Sequence, residues 1–481
     1  MTLSHCWGEV EPPKTTKATL SASHSSLPDS QLSKTFQDAI RLTRELGEQF
    51  LWIDSLCIVQ DDADELDAQI GLMGEIFEGS YCTIAAIDAK GVDGLLPMDR
   101  GLFISGPGRF KTAHLRFNDE DDNLSGELHD VFIIENPNKD VYHIQLEKSA
   151  WHSRGWVFQE RTLSRRCVFF SEENVGWRCN RYWETEQTGV PEHREPRNIP
   201  VALSTSSRTI GNFNFNLAYQ VRSFWEGYVR DYSQTRLTYI SDKEKALRGL
   251  TQQLSGHFHA TFHYGILNFG TQENLNHQLL WYSSISYANG LKGDQMFRCP
   301  SWSWMVVDGR VLWTTDGDLA PSESLSRIHF GEPESDGTQE LHISGLGCTI
   351  NIGTLVGDLP RFSKFQRWAP ETHFGDLTAL IDTSTTRTLL NSCNEIIGWV
   401  TIDAFDGSIE VTATPVQQYF RLLDEEEPLC IDFLALVKAP IQKDSTVLNS
   451  KERHIRIGRG RVLKTAFSWL ENCQPRNFFV V

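Results

Sequence analysis

The sequence lacks several patterns that would assign it to a compartment. None of its 481 residues lie in an uninterrupted apolar run of the length that a membrane-spanning helix needs. The start, Met1 to Gly8, has neither the basic residues nor the apolar core of a secretory signal peptide. Its ten cysteines are scattered without a Cys-x-x-Cys pair, which argues against a disulfide framework. We therefore expect a cytoplasmic protein with free thiols and no membrane partner.

Patterns for nucleic acid, nucleotide phosphate and metal binding are also missing. The chain has 45 basic and 63 acidic residues and a formal charge of −18, so no basic face for nucleic acid is expected. Neither a GxGxxG nor a GxxxxGK[ST] motif occurs, so neither phosphate-binding loop is predicted. The closest histidines, His257, His259 and His263, have no accompanying carboxylate motif. We predict no metal and no cofactor.

One segment, Phe50 to Asp62, organises the N-terminal part of the chain. It begins as a nearly continuous apolar run, which is typical of a strand buried on both faces. Such a strand would carry Asp54 and Cys57 towards its carboxyl end, where sites form in α/β folds. Asp54 either belongs to such a site or caps a neighbouring loop.

The flanking segments alternate between helix and strand patterns. Apolar residues recur at helical spacing from Lys34 to Leu46, which Gly47 would end, and again from Ala63 to Glu78. Strand-like runs follow at Tyr81 to Ile87 and at Cys167 to Phe170. This order predicts an α/β fold built on a parallel sheet with flanking helices.

Three regions follow from these patterns along the chain. Residues 1–185 form the α/β domain, and residues 186–295 form a mainly helical companion region. Residues 296–481 show strand-like alternation and form a β-rich region, either a sandwich or a partial barrel. Trp302 and Trp304 are predicted to alternate on one strand and to share one face.

Glu160 is the best candidate for acid–base chemistry. Trp156 and Phe158 flank it, and an apolar aromatic wall raises the pKa of a carboxyl group. The alternative is that Glu160 pairs with Arg154 or Arg161 and fastens a loop.

Three further residues complete the candidate catalytic set. His5 is either a proton shuttle or a hydrogen-bonded histidine at a strand end. Cys57 is a nucleophile only if a base such as His5 reaches it, and otherwise it is a buried, inert thiol. Asp54 is expected to orient one of these neighbours.

A set of aromatic and polar side chains is the candidate binding surface for a small molecule. Its members are Trp7, Trp52, Arg154, Trp156, Gln159 and Trp177. Indole faces stack on planar ligands, such as a nucleotide base or an aromatic, polyketide-like metabolite. The alternative is that these tryptophans pack the core.

Three motifs together resemble the fungal heterokaryon-incompatibility (HET) domain. They are Leu-Ser-His-Cys-Trp-Gly at residues 3–8, Leu-Trp-Ile-Asp-Ser-Leu-Cys-Ile-Val-Gln-Asp at 51–61 and Arg-Gly-Trp-Val-Phe-Gln-Glu at 154–160. With the downstream Pro-Ser-Trp-Ser-Trp at 300–304, the resemblance covers roughly residues 1–310. Family members usually carry a longer region before the first motif, so the resemblance implies a short form.

The resemblance implies a fold distantly similar to Toll/interleukin-receptor (TIR) domains and a role in non-self recognition and cell death. Because TIR domains include nicotinamide dinucleotide hydrolases with an essential glutamate, it also implies dinucleotide cleavage or self-association.

Two other classes of function stay open. One is an enzyme of secondary metabolism that performs cyclisation, dehydration or hydrolysis on a hydrophobic molecule, and the other is a structural adaptor. If the protein is an enzyme, we expect metal-free acid–base chemistry through Glu160, His5 and Asp54.

Overall fold

The chain folds into two compact units. The first unit contains Met1–Arg208, Thr235–Leu237 and Lys245–Leu250, and the second contains Thr209–Gln234, Thr238–Glu244 and Thr251–Val481. The division into three regions stays a prediction. This computed structural model describes residues 1–8, 12–88, 94–95, 111–115, 129–133, 146–171, 175–185, 192–193, 215–283, 299–307, 309–313, 319–333, 339–355, 386–390, 396–402, 411–421, 424–439, 452–463, 471 and 473–481.

The first unit is built from five α-helices and eight strands among its described residues. The helices are α1 (Leu20–Ser25), α2 (Lys34–Glu45), α3 (Asp54–Cys57), α4 (Ala63–Gly79) and α5 (Gly155–Leu163). The strands are β1 (Thr2–His5), β2 (Thr83–Ala86), β3 (Lys111–Leu115), β4 (His129–Ile133), β5 (Arg166–Phe170), β6 (Val175–Cys179), β7 (Tyr182–Thr185) and β8 (Glu192–His193).

The main sheet of this unit has the order β1-β2-β5-β6-β7-β8 and is mixed. Its first three strands are parallel, and the remaining pairs are antiparallel. The prediction of a parallel sheet therefore holds for one half only. The reason lies in the connections, because a short link between consecutive strands permits only antiparallel neighbours, whereas a crossover helix permits parallel ones.

The two predicted helices of the first unit are confirmed. Helix α2 begins where the Ser33 hydroxyl accepts the N–H of Phe36, and Gly47 follows its end in the left-handed region, with φ of 77°. Helix α4 begins where the Asp62 carboxylate accepts the N–H of Glu65. Each helix buries the apolar face that its spacing predicts.

The strand predicted for the apolar run that begins at Phe50 is wrong over most of its length. Only Trp52 pairs with β1, as a single parallel bridge to Thr2, and Phe50 is 80% exposed. The chain then turns into α3 at Asp54, whose Oδ1 accepts the N–H of Ser55 at 2.7 Å. Asp and Ser side chains bond nearby backbone groups in this way and so compete with a sheet. Asp54 nevertheless lies beside the carboxyl end of β1.

Both faces of the main sheet are covered by apolar side chains. Leu3 and Ile84 belong to a cluster on one face that includes Phe36 of α2, while Ala85 and Phe169 belong to a cluster on the other. Successive residues of a strand point to opposite faces, which explains why neighbours in the sequence enter different clusters.

The second unit contains three longer helices and the remaining strands. The helices are α6 (Phe215–Tyr232), α7 (Arg248–Phe258, whose first turn lies in the first unit) and α8 (Gln272–Leu279). The strands are β9 (Thr261–His263), β10 (Ile266–Asn268), β11 (Tyr282–Ser283), β12 (Val311–Leu312), β13 (Leu319–Ser324), β14 (Arg327–Phe330), β15 (Leu341–Thr349), β16 (Asn351–Leu355), β17 (Thr386–Leu390), β18 (Ile396–Ile402), β19 (Thr412–Arg421), β20 (Asp424–Lys438), β21 (Arg453–Leu463) and β22 (Gln474–Val480).

The β-rich character of the C-terminal third is confirmed. Five of its strands pair in a closed ring. Their order is β19-β15-β22-β21-β20, and β20 pairs with β19 again. Apolar side chains such as Val400, Phe433 and Val462 form one core cluster of this unit.

Trp302 and Trp304 do not alternate on a strand as predicted. Trp302 lies in a turn, and Trp304 begins a 3-10 helix, Trp304–Val306, because Ser303 accepts the N–H of Met305. Both indoles are fully buried and donate to backbone carbonyls, to Gln339 at 3.2 Å and to Gly265 at 2.7 Å.

Among the residues that the structure describes, no helix combines the length and the apolar character needed to cross a lipid bilayer.

Candidate functional site

Glu160 lies inside the first unit, on α5, with 8% of its surface exposed. The Ser4 hydroxyl of β1 donates a hydrogen bond to its Oε2, and the Trp151 indole N–H donates to the Ser4 oxygen at 2.7 Å. Burial raises the pKa of the Glu160 carboxyl to about 7, against the lowering effect of the Ser4 hydrogen bond. The carboxyl group therefore exchanges its proton near neutral pH.

The helix that carries Glu160 is positioned by its first residues. Gly155 donates its N–H to Arg236 O at 2.8 Å, and a Cβ at this glycine would come within 2.4 Å of the Leu237 side chain. Only glycine allows this close approach at the helix start. From its motif we expected Glu160 at a strand end or on an adjacent loop, and this placement is wrong, because residues 155–163 form the helix α5.

The predicted alternative partners of Glu160 have other contacts. The Arg161 guanidinium lies over the Phe158 ring, 4.8 Å from its centroid. Arg154 Nη1 donates to His5 O at 2.7 Å, and Arg154 also bonds the Cys6 thiol. The positive charge of Arg154 still lowers the pKa of Glu160, although less than burial raises it.

His5 and Asp54 form a second polar group at the same end of β1. The distance between His5 Nδ1 and Asp54 Oδ1 is 4.0 Å, and the Trp7 indole N–H donates to Asp54 Oδ2 at 2.9 Å. Burial lowers the pKa of His5, although Asp54 opposes this effect. The imidazole is therefore neutral at physiological pH, and its buried Nε2 has no hydrogen-bond partner among the residues that the structure describes.

The two polar groups lie on opposite faces of the sheet. The Ser4 side chain points to the face that holds Trp151 and Glu160, while the His5 ring packs edge-on against Phe36, 5.1 Å away, on the other face. Their electrostatics are coupled at the carboxyl end of β1, since Asp54 and Arg154 act on the pKa of both Glu160 and His5. Glu160 thus lies on one face of β1, and His5 and Asp54 lie on the other, so their joint catalytic role stays a prediction.

Of the predicted binding residues, Trp7 and Arg154 lie at this strand end. Both are half-buried, and the Asp54 side chain beside them is 28% exposed, so solvent reaches this side of the polar cluster. Trp156, in the first turn of α5, is also half-buried.

The other predicted residues have structural contacts. Gln159 is fully buried, and its Oε1 accepts the N–H of Gly249 at 2.7 Å. Trp52 packs edge-on against Phe77 with ring centroids 5.6 Å apart, and Trp177 packs against the core cluster around Leu3. The contacts of Trp52 and Trp177 are those of the alternative interpretation, in which the tryptophans pack the core.

Cys57 is exposed, and within the described part of the chain no base contacts its thiol. Its Sγ accepts the N–H of Ile53 at 3.5 Å, within its own helical turn. Since a thiol nucleophile needs a base in contact, this arrangement does not support nucleophilic chemistry at Cys57.

Two residues of the cluster, Ser4 and Trp151, were missed by sequence reasoning. The sequence does contain an indication for Ser4, because a polar residue between Leu3 and His5 on a buried strand needs a hydrogen-bond partner. Trp151 had none, because its contact with Ser4 spans 147 positions of sequence.

Metal ligands do not gather here. Within the described ranges, no three His, Cys, Asp or Glu side chains lie close enough together to hold a metal ion.

The fold and this cluster define an α/β domain with titratable groups at the carboxyl end of an edge strand. Residues 1–160 match the family model of the heterokaryon incompatibility protein (HET), so the N-terminal third of the chain is a HET domain. No curated protein and no solved structure matches the chain. The resemblance to TIR domains therefore stays a prediction.

Proposed function

We propose that this protein is an effector of the heterokaryon-incompatibility type whose first unit hydrolyses the bond between nicotinamide and ribose in nicotinamide dinucleotide. The observation that supports this most strongly is the buried Glu160 carboxyl group, whose pKa of about 7 suits proton transfer at neutral pH. The family match on residues 1–160 supports the biological setting.

The reaction suits a single carboxylate. Nicotinamide leaves as a neutral molecule with the electrons of the broken C–N bond, so the departure needs no general acid. The ribose carbon then carries positive charge, which a nearby carboxylate stabilises, as in glycoside hydrolysis. Ionised Glu160 accepts a proton from the attacking water, and the products are nicotinamide, ADP-ribose and one proton.

The residues at the end of β1 suit the remaining parts of the substrate. The Arg154 guanidinium offers charge to a pyrophosphate, and the half-buried Trp7 indole offers a face for a flat ring. Asp54, partly exposed beside them, offers acceptor oxygens to ribose hydroxyls.

A second candidate function is favoured by the same carboxyl group. A pKa of about 7 leaves a substantial fraction of Glu160 protonated, so it also suits a general acid. This chemistry serves cyclisation, dehydration or hydrolysis of a hydrophobic, polyketide-like metabolite. The two candidates differ in their product, since only the first releases nicotinamide.

The test is nicotinamide release by the full chain, followed by chromatography. Purified protein is incubated with nicotinamide dinucleotide over a range of protein concentrations, so that self-association is sampled. Glu160→Gln keeps the shape of the side chain and removes the base. Glu48→Gln, which makes the same chemical change at a half-buried position outside this cluster, is the matched control.

The proposal requires release from the unmodified chain and from Glu48→Gln, and none above background from folded Glu160→Gln. Absence of release from folded protein at every concentration contradicts it. Equal release from all three proteins would remove Glu160 from the reaction.

A further inference from the structure

Two cysteines of the second unit, outside the candidate site, lie in direct contact. The Sγ atoms of Cys348 and Cys473 are 3.1 Å apart and joined by a hydrogen bond. Both residues are buried, with 7% and 6% of their surfaces exposed. Both thiols are in the reduced state.

The strand register places the two residues opposite each other. Strands β15 and β22 pair antiparallel, and their last pair at this end joins Gly347 to Gln474. One further step in the same register sets Cys348 across from Cys473. Residues directly opposite in such a pair have Cα atoms about 4.5–5.5 Å apart, which lies within the range that a disulfide spans.

The side chains also point the same way. Cys348 and Cys473 are members of one core cluster, together with Ile350, Val411 and Phe433. A bond between the two sulfur atoms therefore needs no turning of either side chain out of the core.

The hydrogen bond between the thiols makes them unequal. It lowers the pKa of Cys473 and, together with burial, raises the pKa of Cys348. Cys473 is thus the sulfur that reacts first as a thiolate, and Cys348 is the sulfur that resolves the product.

We propose that Cys348 and Cys473 form an intramolecular disulfide when the protein meets a hydroperoxide. The Cys473 thiolate attacks one peroxide oxygen and becomes a sulfenic acid, while the other oxygen leaves as hydroxide and takes up a proton. The Cys348 sulfur then attacks the sulfenic sulfur, the S–S bond forms and water leaves. The two thiols lose two electrons in total, and the hydroperoxide gains them.

The disulfide would tie together two strands of the closed ring. The cysteines are 125 positions apart, so the bond closes a long loop that includes β16 to β21. A long loop loses much freedom in the unfolded chain when its ends are joined. The oxidised second unit is therefore expected to resist unfolding better than the reduced one.

The experiment is peptide mapping by mass spectrometry after treatment of the full chain with about one equivalent of hydrogen peroxide. The expected product is a cross-linked pair of peptides that contain Cys348 and Cys473, lighter by two hydrogen atoms. Dithiothreitol should separate the pair. The midpoint of urea unfolding should rise on oxidation and return on reduction.

Cys473→Ala should abolish both the cross-link and the shift of the urea midpoint. Cys57→Ser, which removes an exposed thiol in the first unit, should retain both. The mapping on the unmodified chain needs no variant, so the proposal stays testable if Cys473→Ala does not fold. Sulfinic or sulfonic acids at these cysteines without a cross-link, or a bond between other cysteines, would overturn it.

Discussion

Ser4 and Glu160 are 156 positions apart in the chain and are joined by a hydrogen bond between their side chains. The Ser4 oxygen also accepts the Trp151 indole N–H, so one hydroxyl connects β1 to the turn before α5 and to α5 itself. All three side chains are buried. Because buried polar groups are costly when unpaired, this arrangement holds the helix in place. The Ser4 hydrogen bond also opposes part of the rise in the pKa of Glu160 that burial causes.

The first prediction concerns the stability of the chain against pH. The pKa of Glu160 is raised from 4.5 to about 7 on folding, so between these values the folded chain binds the proton more tightly. The free energy of unfolding therefore falls as pH rises through this range. Glu160→Gln has no titrating group at this position, so its free energy of unfolding does not fall in this way. As pH rises through this range, its free energy of unfolding should therefore increase relative to that of the unmodified chain by on the order of 3 kcal/mol, at about 1.4 kcal/mol per pKa unit.

Urea unfolding of both proteins between pH 4 and pH 8 measures this difference. Glu48→Gln, at a half-buried position outside the cluster, should follow the unmodified chain throughout. If the difference in unfolding free energy between Glu160→Gln and the unmodified chain stays constant from pH 4 to pH 8, burial does not raise the pKa of Glu160.

The second prediction concerns the activity proposed for Glu160. If the ionised carboxylate is the base, kcat/KM for nicotinamide release should rise with pH and level off above the carboxyl pKa of about 7. A rate that falls as pH rises through about 7 would instead assign Glu160 as a general acid, which is the behaviour expected for the metabolite enzyme.

The third prediction concerns Ser4→Ala. It leaves the buried Trp151 N–H without its acceptor, which should cost about 1–3 kcal/mol of unfolding free energy. It also removes the bond that lowers the pKa of Glu160, so the pH dependence of Glu160 should move to higher pH. Chemical denaturation at several pH values measures both effects.

Ser25→Ala is the control for Ser4→Ala. The Ser25 hydroxyl bonds the Ser21 carbonyl on the exposed helix α1, and its loss should leave stability unchanged within error. A Ser4→Ala protein as stable as this control would contradict the hydrogen-bonded arrangement around Glu160.

The fourth prediction compares two glycines of α4. A Cβ at Gly74 would come within 2.5 Å of Gly249 Cα, a backbone atom that cannot rotate away, so Gly74→Ala should cost about 1–3 kcal/mol. Among the described residues, nothing lies within 4 Å of a Cβ at Gly79, the last residue of the same helix. Gly79→Ala should therefore stabilise the protein by about 0.4–1 kcal/mol.

Thermal unfolding of the two variants checks the opposite signs. If both substitutions stabilise the protein, α4 does not approach the Gly249 backbone as closely as described here.

The fifth prediction concerns the ion pair between Asp432 and Arg461 in the second unit. Two hydrogen bonds join them, at 2.6 and 3.1 Å, and the side chains are only 1% and 5% exposed. Asp432→Ala leaves the guanidinium buried without its carboxylate and should cost about 3–5 kcal/mol.

The exposed pair of Arg41 and Glu45 is the control, because Glu45→Ala should have no measurable effect on stability. Equal effects of Asp432→Ala and Glu45→Ala in urea unfolding would contradict the burial of the second-unit pair.

Much of the local structure follows from the sequence, for physical reasons that act over a few residues. Helices α2 and α4 were predictable because their caps and apolar spacing lie within the elements themselves. The region around Asp54 was not, since an apolar run is compatible with a strand, a bridge or a short helix. There the choice depends on hydrogen bonds from Trp52 to Met1 and Leu3, some 50 positions away.

The candidate site shows the same division. Glu160, His5, Asp54 and Arg154 were identifiable as unusual polar residues in aromatic motifs, and Asp54 and Arg154 influence the pKa of both Glu160 and His5. Their separation onto two faces of β1, and the place of Ser4 between Trp151 and Glu160, were not visible in the sequence.

By itself the sequence determined the HET motifs, the helix periods, the β-rich C-terminal third and the identity of the polar residues. These features depend on residue type and on short-range spacing. Only the tertiary structure decided which carboxyl group is buried, which hydroxyl bonds it and which two thiols touch. Such contacts join residues more than 100 positions apart, and the desolvation that shifts a pKa exists only when the chain has packed around the group.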